Sequence, residues 1–115
     1  MKYISDEDKM RVALNEAKKA HDVDEVPIGA AIFDKDDNLI CANHNRRELD
    51  QNPTSHAEIL VLEEASQILG TWRLEDTTIA VTLEPDAMCA GAILNARISK
   101  LIYCLLYTSD AADEH

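Results

Sequence analysis

The chain has 115 residues, 46% of them apolar, enough for one packed domain and too few for two. Lys and Arg number 11 against 22 Asp and Glu, a net charge of −11 that repels phosphate backbones in general, so any nucleic-acid contact has to be local. No apolar run approaches the ~20 residues of a membrane span, the N-terminus lacks the apolar stretch of a secretory signal, and three cysteines (Cys41, Cys89, Cys104) make no disulfide framework; a soluble cytoplasmic protein is expected.

Ser5 is placed to cap a first helix, with Asp6, Glu7 and Asp8 suiting its positive end. Met10, Ala13, Leu14, Ala17 and Ala20 recur at helical spacing and predict one apolar face. Val26-Pro27 ends that pattern. Residues 28–33 read as a strand apolar on both faces, and 34–38 (DKDDN) as a turn. Residues 39–42 read as a second strand, closing an antiparallel hairpin. A polar loop is expected over 43–54.

The second helix is expected over 55–69, with Ile59, Leu60, Leu62, Ala65, Ile68 and Leu69 inward and Gly70 as its stop. Residues 77–82 predict a third strand, 86–96 a third helix and 98–103 a fourth strand. The resulting order, α-β-β-α-β-α-β, implies an α/β fold. It should be a mixed sheet with helices on its faces, the first hairpin antiparallel and the later strands parallel.

Residues 104–114 (CLLYTSDAADE) look like one reading frame of a sequencing-library adapter. The expected division is therefore a core over 1–103 and a non-native tail over 104–115.

Two clusters carry chemistry. His56-Ala57-Glu58 opens the second helix, and Pro85-Asp86-Ala87-Met88-Cys89 opens the third. Helix N-termini in a mixed α/β sheet converge at strand ends, where ligands usually bind. An imidazole and a thiolate are good zinc ligands, and a catalytic zinc takes three protein ligands and leaves a fourth position for water. Zinc makes that water acidic, and a carboxylate that does not ligate can take and return its proton. Read alone, Glu58 is equally an acid placed by the helix dipole, and Asn45 a turn residue. His21 and His44 read as helix-end and loop residues without a role. Cys41, in the second strand, reads as a small buried hydrophobe.

With D-E-V-P-I-G-A (24–30), N-R-R-E and N-P-T-S-H-A-E (45–58), T-W-R-L (71–74) and V-T-L-E-P-D-A-M-C-A-G-A-I (81–93), the chain resembles the bacterial tRNA-specific adenosine deaminases of the cytidine deaminase superfamily. The resemblance covers residues 8–103 and includes the H-x-E signature of zinc deaminases. It implies a cytidine deaminase-like fold, with His56 and Cys89 as zinc ligands and Glu58 as the proton shuttle. It puts Asn45 at a nucleotide contact and Val26, Ala57 and Leu83 around the base. It implies hydrolytic conversion of adenosine to inosine at the wobble position of a tRNA anticodon loop, by a homodimer. A free-base or nucleoside deaminase (guanine or cytosine) and a catalytically inactive deaminase-like fragment are the alternatives. The family continues past the fourth strand with further, often basic, elements.

One position departs from the pattern: Asp86 stands where the family has a cysteine. A carboxylate can ligate zinc and keeps the charge of a thiolate, but it is a harder donor. Asp86 is thus read either as the third ligand or as a cap of the third helix. Arg46 and Arg47, beside Asn45, are the cations nearest the expected site.

Overall fold

The computed structural model describes residues 1–103; Cys104 and the tail reading lie outside them. Helix α1 (Asp6–Asp22) starts as expected, the Ser5 hydroxyl accepting from the Asp8 amide at 3.0 Å. Its buried face is Met10, Ala13, Ala17 and Ala20, joined by Lys9, which periodicity assigns to solvent. Lys9 is buried because its Nζ has three acceptors: the carbonyls of Tyr3 (2.6 Å) and Ile4 (3.1 Å) and the Asp37 carboxylate (2.8 Å). The aliphatic stem packs while the ammonium stays paired. Leu14 is only half-buried.

Strand β1 (Gly29–Phe33) is buried throughout, and β2 (Leu39–His44) returns antiparallel to it. The turn between them is held by Asp34, whose Oδ1 accepts from the Asp36 and Asn38 amides, while Asp37 takes the left-handed conformation. The expected polar loop is shorter than predicted, since β2 runs on to His44 and a one-turn helix α2 (Arg47–Asp50) follows.

Helix α3 (Ala57–Leu69) ends on left-handed Gly70. Its inward face differs from the predicted one. Ala57, Glu58, Val61, Leu62 and Ala65 are buried, whereas Ile68 is 61% exposed and Leu69 half-exposed. Strand β3 (Thr78–Val81), helix α4 (Ala87–Asn95) and strand β4 (Lys100–Tyr103) complete the described fold.

The sheet order is β2-β1-β3-β4, with β1 antiparallel to both neighbours and β4 parallel to β3. Successive residues of the central strands face opposite sides of the sheet, and both sides are covered. Ala30, Ile32, Ile79 and Val81 pack with α3 and Ile93 of α4 on one face, and Ala31, Phe33, Ala80 and Ile102 pack with Met10 and Ala13 of α1 on the other. This three-layer arrangement is the mixed α/β fold expected.

The topology positions the site. Strands β2 and β3 are each antiparallel to β1, so they point the same way. Each hands on to a helix, β2 to α3 and β3 to α4, so both helices begin at one end of the sheet. The same end holds residues 26–28, just before β1: the Asn45 amide donates to the Ile28 carbonyl at 3.0 Å and the Gly29 amide to the Thr82 hydroxyl at 3.1 Å.

Candidate active site

His56 occupies the N-cap of α3 but makes no capping hydrogen bond. A Ser, Thr, Asp or Asn there would satisfy an orphan amide and add about 1 kcal/mol. The imidazole instead turns its Nδ1 toward α4, lying 3.6 Å from Cys89 Sγ and 3.6 Å from Asp86 Oδ2. The three donor atoms lie within 4.8 Å of one another.

Asp86 is the N-cap of α4, and its Oδ1 accepts from the Cys89 amide at 2.9 Å. The two readings of this residue are therefore compatible. One carboxylate oxygen holds the helix start and the other faces His56. The bond from the Cys89 amide holds the Asp86 carboxyl below the usual carboxylate range. Cys89 is fully buried in the first turn of α4. Burial, reinforced by the neighbouring Glu58 and Asp86 carboxylates, pushes its thiol well up.

Glu58, two residues after His56, is 5% exposed. Its carboxyl is raised by burial, against the lowering effects of its own amide, the Cys89 thiol and His56. At the first turn of a helix a two-residue spacing does bring both side chains to one gap. The arrangement is thus an imidazole, a thiol and two carboxylates crowded at the start of two helices. Such a donor set is poorly satisfied by protons and well satisfied by a cation.

The donors fit a zinc ion in kind and in spacing. Bonds of 2.0–2.3 Å in a tetrahedron put neighbouring donors about 3.3–3.8 Å apart, and the two His56 separations of 3.6 Å fall in that interval. The carboxylate is the weak member, because zinc prefers sulfur to oxygen. Asp86→Cys is therefore expected to tighten zinc retention by tenfold or more against a chelator. It should also weaken the α4 cap by about 1 kcal/mol. Chelator competition and thermal melting read the two effects separately, and equal retention in both proteins would contradict an oxygen-weakened site.

The remaining predicted residues gather at the same end. Ala57 is buried in the first turn of α3, while Val26 and Leu83 are about half-exposed on the segments entering β1 and leaving β3. Asn45 is buried and does act as a turn residue, its Oδ1 accepting from the Arg47 amide at 3.0 Å. Arg46 pairs with Asp50. Cys41 is buried away in β2, donating to the Val61 carbonyl at 3.3 Å, and burial pushes its thiol up to about 12. His21 is exposed, as expected of a helix end.

Two neighbours of the site escape sequence reasoning. His44 is buried, with Nδ1 2.8 Å from the Asn45 carbonyl, and Glu25 is buried, accepting from the Leu49 amide at 2.6 Å. Glu25 lies inside the quoted D-E-V-P stretch, but its partner is 24 residues away and no local pattern points to it.

The α/β/α sandwich with paired helix N-termini presenting His-x-Glu and Asp-x-x-Cys has the cytidine deaminase-like fold. The chain belongs to the MafB19-like deaminase family, whose sequence model matches residues 4–110. It is 49% identical over 98 residues to the tRNA-specific adenosine deaminase of Bacillus subtilis, covering 85% of this chain and 60% of that protein. It is 50% identical over 98 residues to the chloroplastic tRNA(adenine(34)) deaminase of Arabidopsis thaliana, covering 85% of this chain and 7% of that one.

Among solved structures, one from biochemical and structural studies of A-to-I editing by tRNA:A34 deaminases at the wobble position of transfer RNA superimposes with a TM-score of 0.80 at 45% identity, covering 83% of this chain and 68% of that one. The guanine deaminase of Bacillus subtilis superimposes with a TM-score of 0.83 at 29% identity, covering 96% of this chain and 70% of that one. The chain spans about three-fifths of the length of its bacterial tRNA-deaminase relatives.

Proposed function

We propose that the protein catalyses the hydrolytic deamination of adenosine to inosine at the wobble position of tRNA, with zinc as its metal. The observation that carries this reading is the meeting of His56, Asp86 and Cys89 with buried Glu58 against them. His56 Nδ1, Asp86 Oδ2 and Cys89 Sγ would hold the ion. When bound, zinc supplies a Lewis acid that makes water a nucleophile near neutral pH.

The protein's own residues do the rest. The Glu58 carboxylate takes the two protons of the attacking water in turn, passing one to the purine N1 and the other to the departing amine, so adenosine and water become inosine and ammonia. Asn45, Val26, Ala57 and Leu83 receive the base. An anticodon loop presents that base already unstacked, so little pairing energy is lost in reaching it. Arg46 and Arg47 are the local positive charge that an RNA contact on this acidic chain requires. The proposed compartment is the cytoplasm, and residues 1–103 are the proposed core; the family match, which runs on to residue 110, does not itself carry that division.

A homodimer is part of the proposal. Ile68, Trp72 and Leu94 are exposed apolar side chains on or next to α3 and α4. A groove of about 560 Å³ between the two helices has an apolar floor of Ile59, Leu62, Trp72, Ala92 and Ala96, with Glu63, Ser66, Gln67 and Asn95 also lining it. Apolar surface of this kind suits a partner of the same chemistry.

One specific observation favours a second reading, deamination of a free base: the guanine deaminase match covers more of this chain. The higher identities to tRNA deaminases favour the first. Incubating the full-length protein separately with an anticodon stem-loop containing a wobble adenosine and with free guanine or cytosine decides between them. Inosine in the stem-loop supports the tRNA reading, and ammonia only from a free base supports the other. Ammonia from neither identifies a deaminase-like chain without catalysis.

A further inference from the structure

We infer that Glu25 is a positioning residue that ties together the two sides of the site's mouth, and through them sets how well an RNA substrate binds; the second half rests on the function proposed above. One side of the mouth is the 26–28 segment carrying Val26. The other is the 45–55 segment carrying Asn45, Arg46 and Arg47 and leading into His56.

Two ties join these sides. The first continues the sheet: the Asn45 amide donates to the Ile28 carbonyl at 3.0 Å. The second is the Glu25 carboxylate, which accepts from the Leu49 amide at 2.6 Å. Burying a carboxylate at 5% exposure is costly unless a hydrogen bond compensates, and a charged acceptor makes that bond strong. The backbone of Glu25 is itself fixed, its amide donating to the Ala20 carbonyl at the end of α1 at 2.9 Å. The tie therefore transmits the position of α1 to the far side of the mouth.

The 45–55 segment is otherwise closed on itself. Arg46 Nε binds Asp50 Oδ1 at 3.1 Å, the Arg46 amide binds the Ser55 carbonyl at 2.9 Å, and the Ser55 hydroxyl binds Asp50 Oδ2 at 3.2 Å. These internal bonds hold the segment together, so among the described residues its two external ties, at Asn45 and at Leu49, govern where it sits, and Glu25 supplies the only one made by a side chain of the facing segment. Glu25 touches none of His56, Glu58, Asp86 or Cys89 in these contacts, and its effect should fall on binding rather than on chemistry.

The test compares Glu25→Ala, Glu25→Asp and Glu25→Gln in the full-length protein. Amide exchange at Leu49 and trypsin cleavage after Arg46 and Arg47 read the segment whatever the substrate is. KM and kcat on a wobble-adenosine stem-loop read the consequence. Glu25→Ala and Glu25→Asp, which lose the acceptor or its reach, should speed Leu49 exchange and cleavage at 46 and 47. They should leave bound metal unchanged, raise KM by about tenfold and keep kcat within about twofold. Glu25→Gln retains an acceptor oxygen and should restore all of these; if Glu25→Ala does not fold, Glu25→Asp gives the same reading. Unchanged Leu49 exchange in Glu25→Asp overturns the proposal, as does a loosened segment with unchanged KM or a loss confined to kcat. Absence of any inosine from the wild-type protein refutes the deaminase reading instead, and Leu49 exchange alone then decides whether Glu25 holds the mouth.

Discussion

Glu58→Gln is expected to lower kcat for adenosine deamination by about 10²–10⁴, with KM within a few-fold and bound metal unchanged. The substitution keeps shape and hydrogen-bonding oxygen but removes the group that accepts and returns protons. Its selectivity comes from placement. Glu58 is buried beside Cys89, yet the contacts of His56 Nδ1 are to Cys89 and Asp86, so the carboxylate is left over from the donor set. A merely structural acid at the start of α3 would contribute a few tenths of a kcal/mol to about 1 kcal/mol through the helix dipole, and its loss would show in melting temperature rather than in rate. Single-turnover rates with metal content measured on the same sample separate the cases. Activity within tenfold of wild type would assign the proton transfers to another group.

The largest stability effect is expected at Gly29, where β1 passes under α1. A Cβ added there would overlap the Ala13 carbonyl oxygen and stand 2.6 Å from the Ala17 backbone nitrogen and 2.9 Å from Glu16 Cβ. Two of these obstacles are backbone, which cannot rotate away. The backbone at Gly29 does not need positive φ, so alanine is conformationally acceptable and even gains about 0.4–1 kcal/mol by restricting the unfolded chain. The clash outweighs that gain, since forcing a methyl group into filled space typically costs about 1–3 kcal/mol and more when a helix must lift. Gly29→Ala should therefore destabilise by about 3 kcal/mol or more, and by more still with valine. Urea denaturation measures it, and a Gly29→Ala midpoint equal to wild type would contradict the α1–β1 approach described.

Short-range signals were legible in the sequence. Ser5 and Gly70 bound their helices, a run apolar on both faces marked the buried strand β1, and the spacing of His56, Glu58 and Cys89 pointed to residues the fold brings together. What the sequence did not disclose depends on partners distant in the chain. Lys9 is buried because Asp37, across the hairpin, receives its ammonium, and Glu25 because Leu49 does the equivalent for its carboxylate. Ile68 continues the apolar stripe of α3 and is nonetheless exposed, a boundary no helical periodicity contains. Asp86 was ambiguous in sequence because capping and ligation use the same residue type; the geometry gives Oδ1 to the cap and turns Oδ2 toward His56.

That assignment also explains how α4 keeps a sound start with a ligand-type residue at its cap, while α3 does not. Asp86 has two acceptors to share, whereas His56 turns its Nδ1 toward Asp86 and Cys89 and leaves its helix uncapped. The two helix starts are therefore held unequally. A cation bridging them would fasten the weaker one, so metal binding should raise the melting temperature as well as enable chemistry.

The most direct test is the bound metal in purified full-length protein, measured by elemental analysis after zinc loading and dialysis, for wild type and for His56→Ala and Cys89→Ala. The account predicts about one zinc per chain in wild type and little in either variant while each keeps its fold. A zinc-free wild type, or variants that hold as much zinc as wild type, would contradict a metal centre built from His56, Asp86 and Cys89.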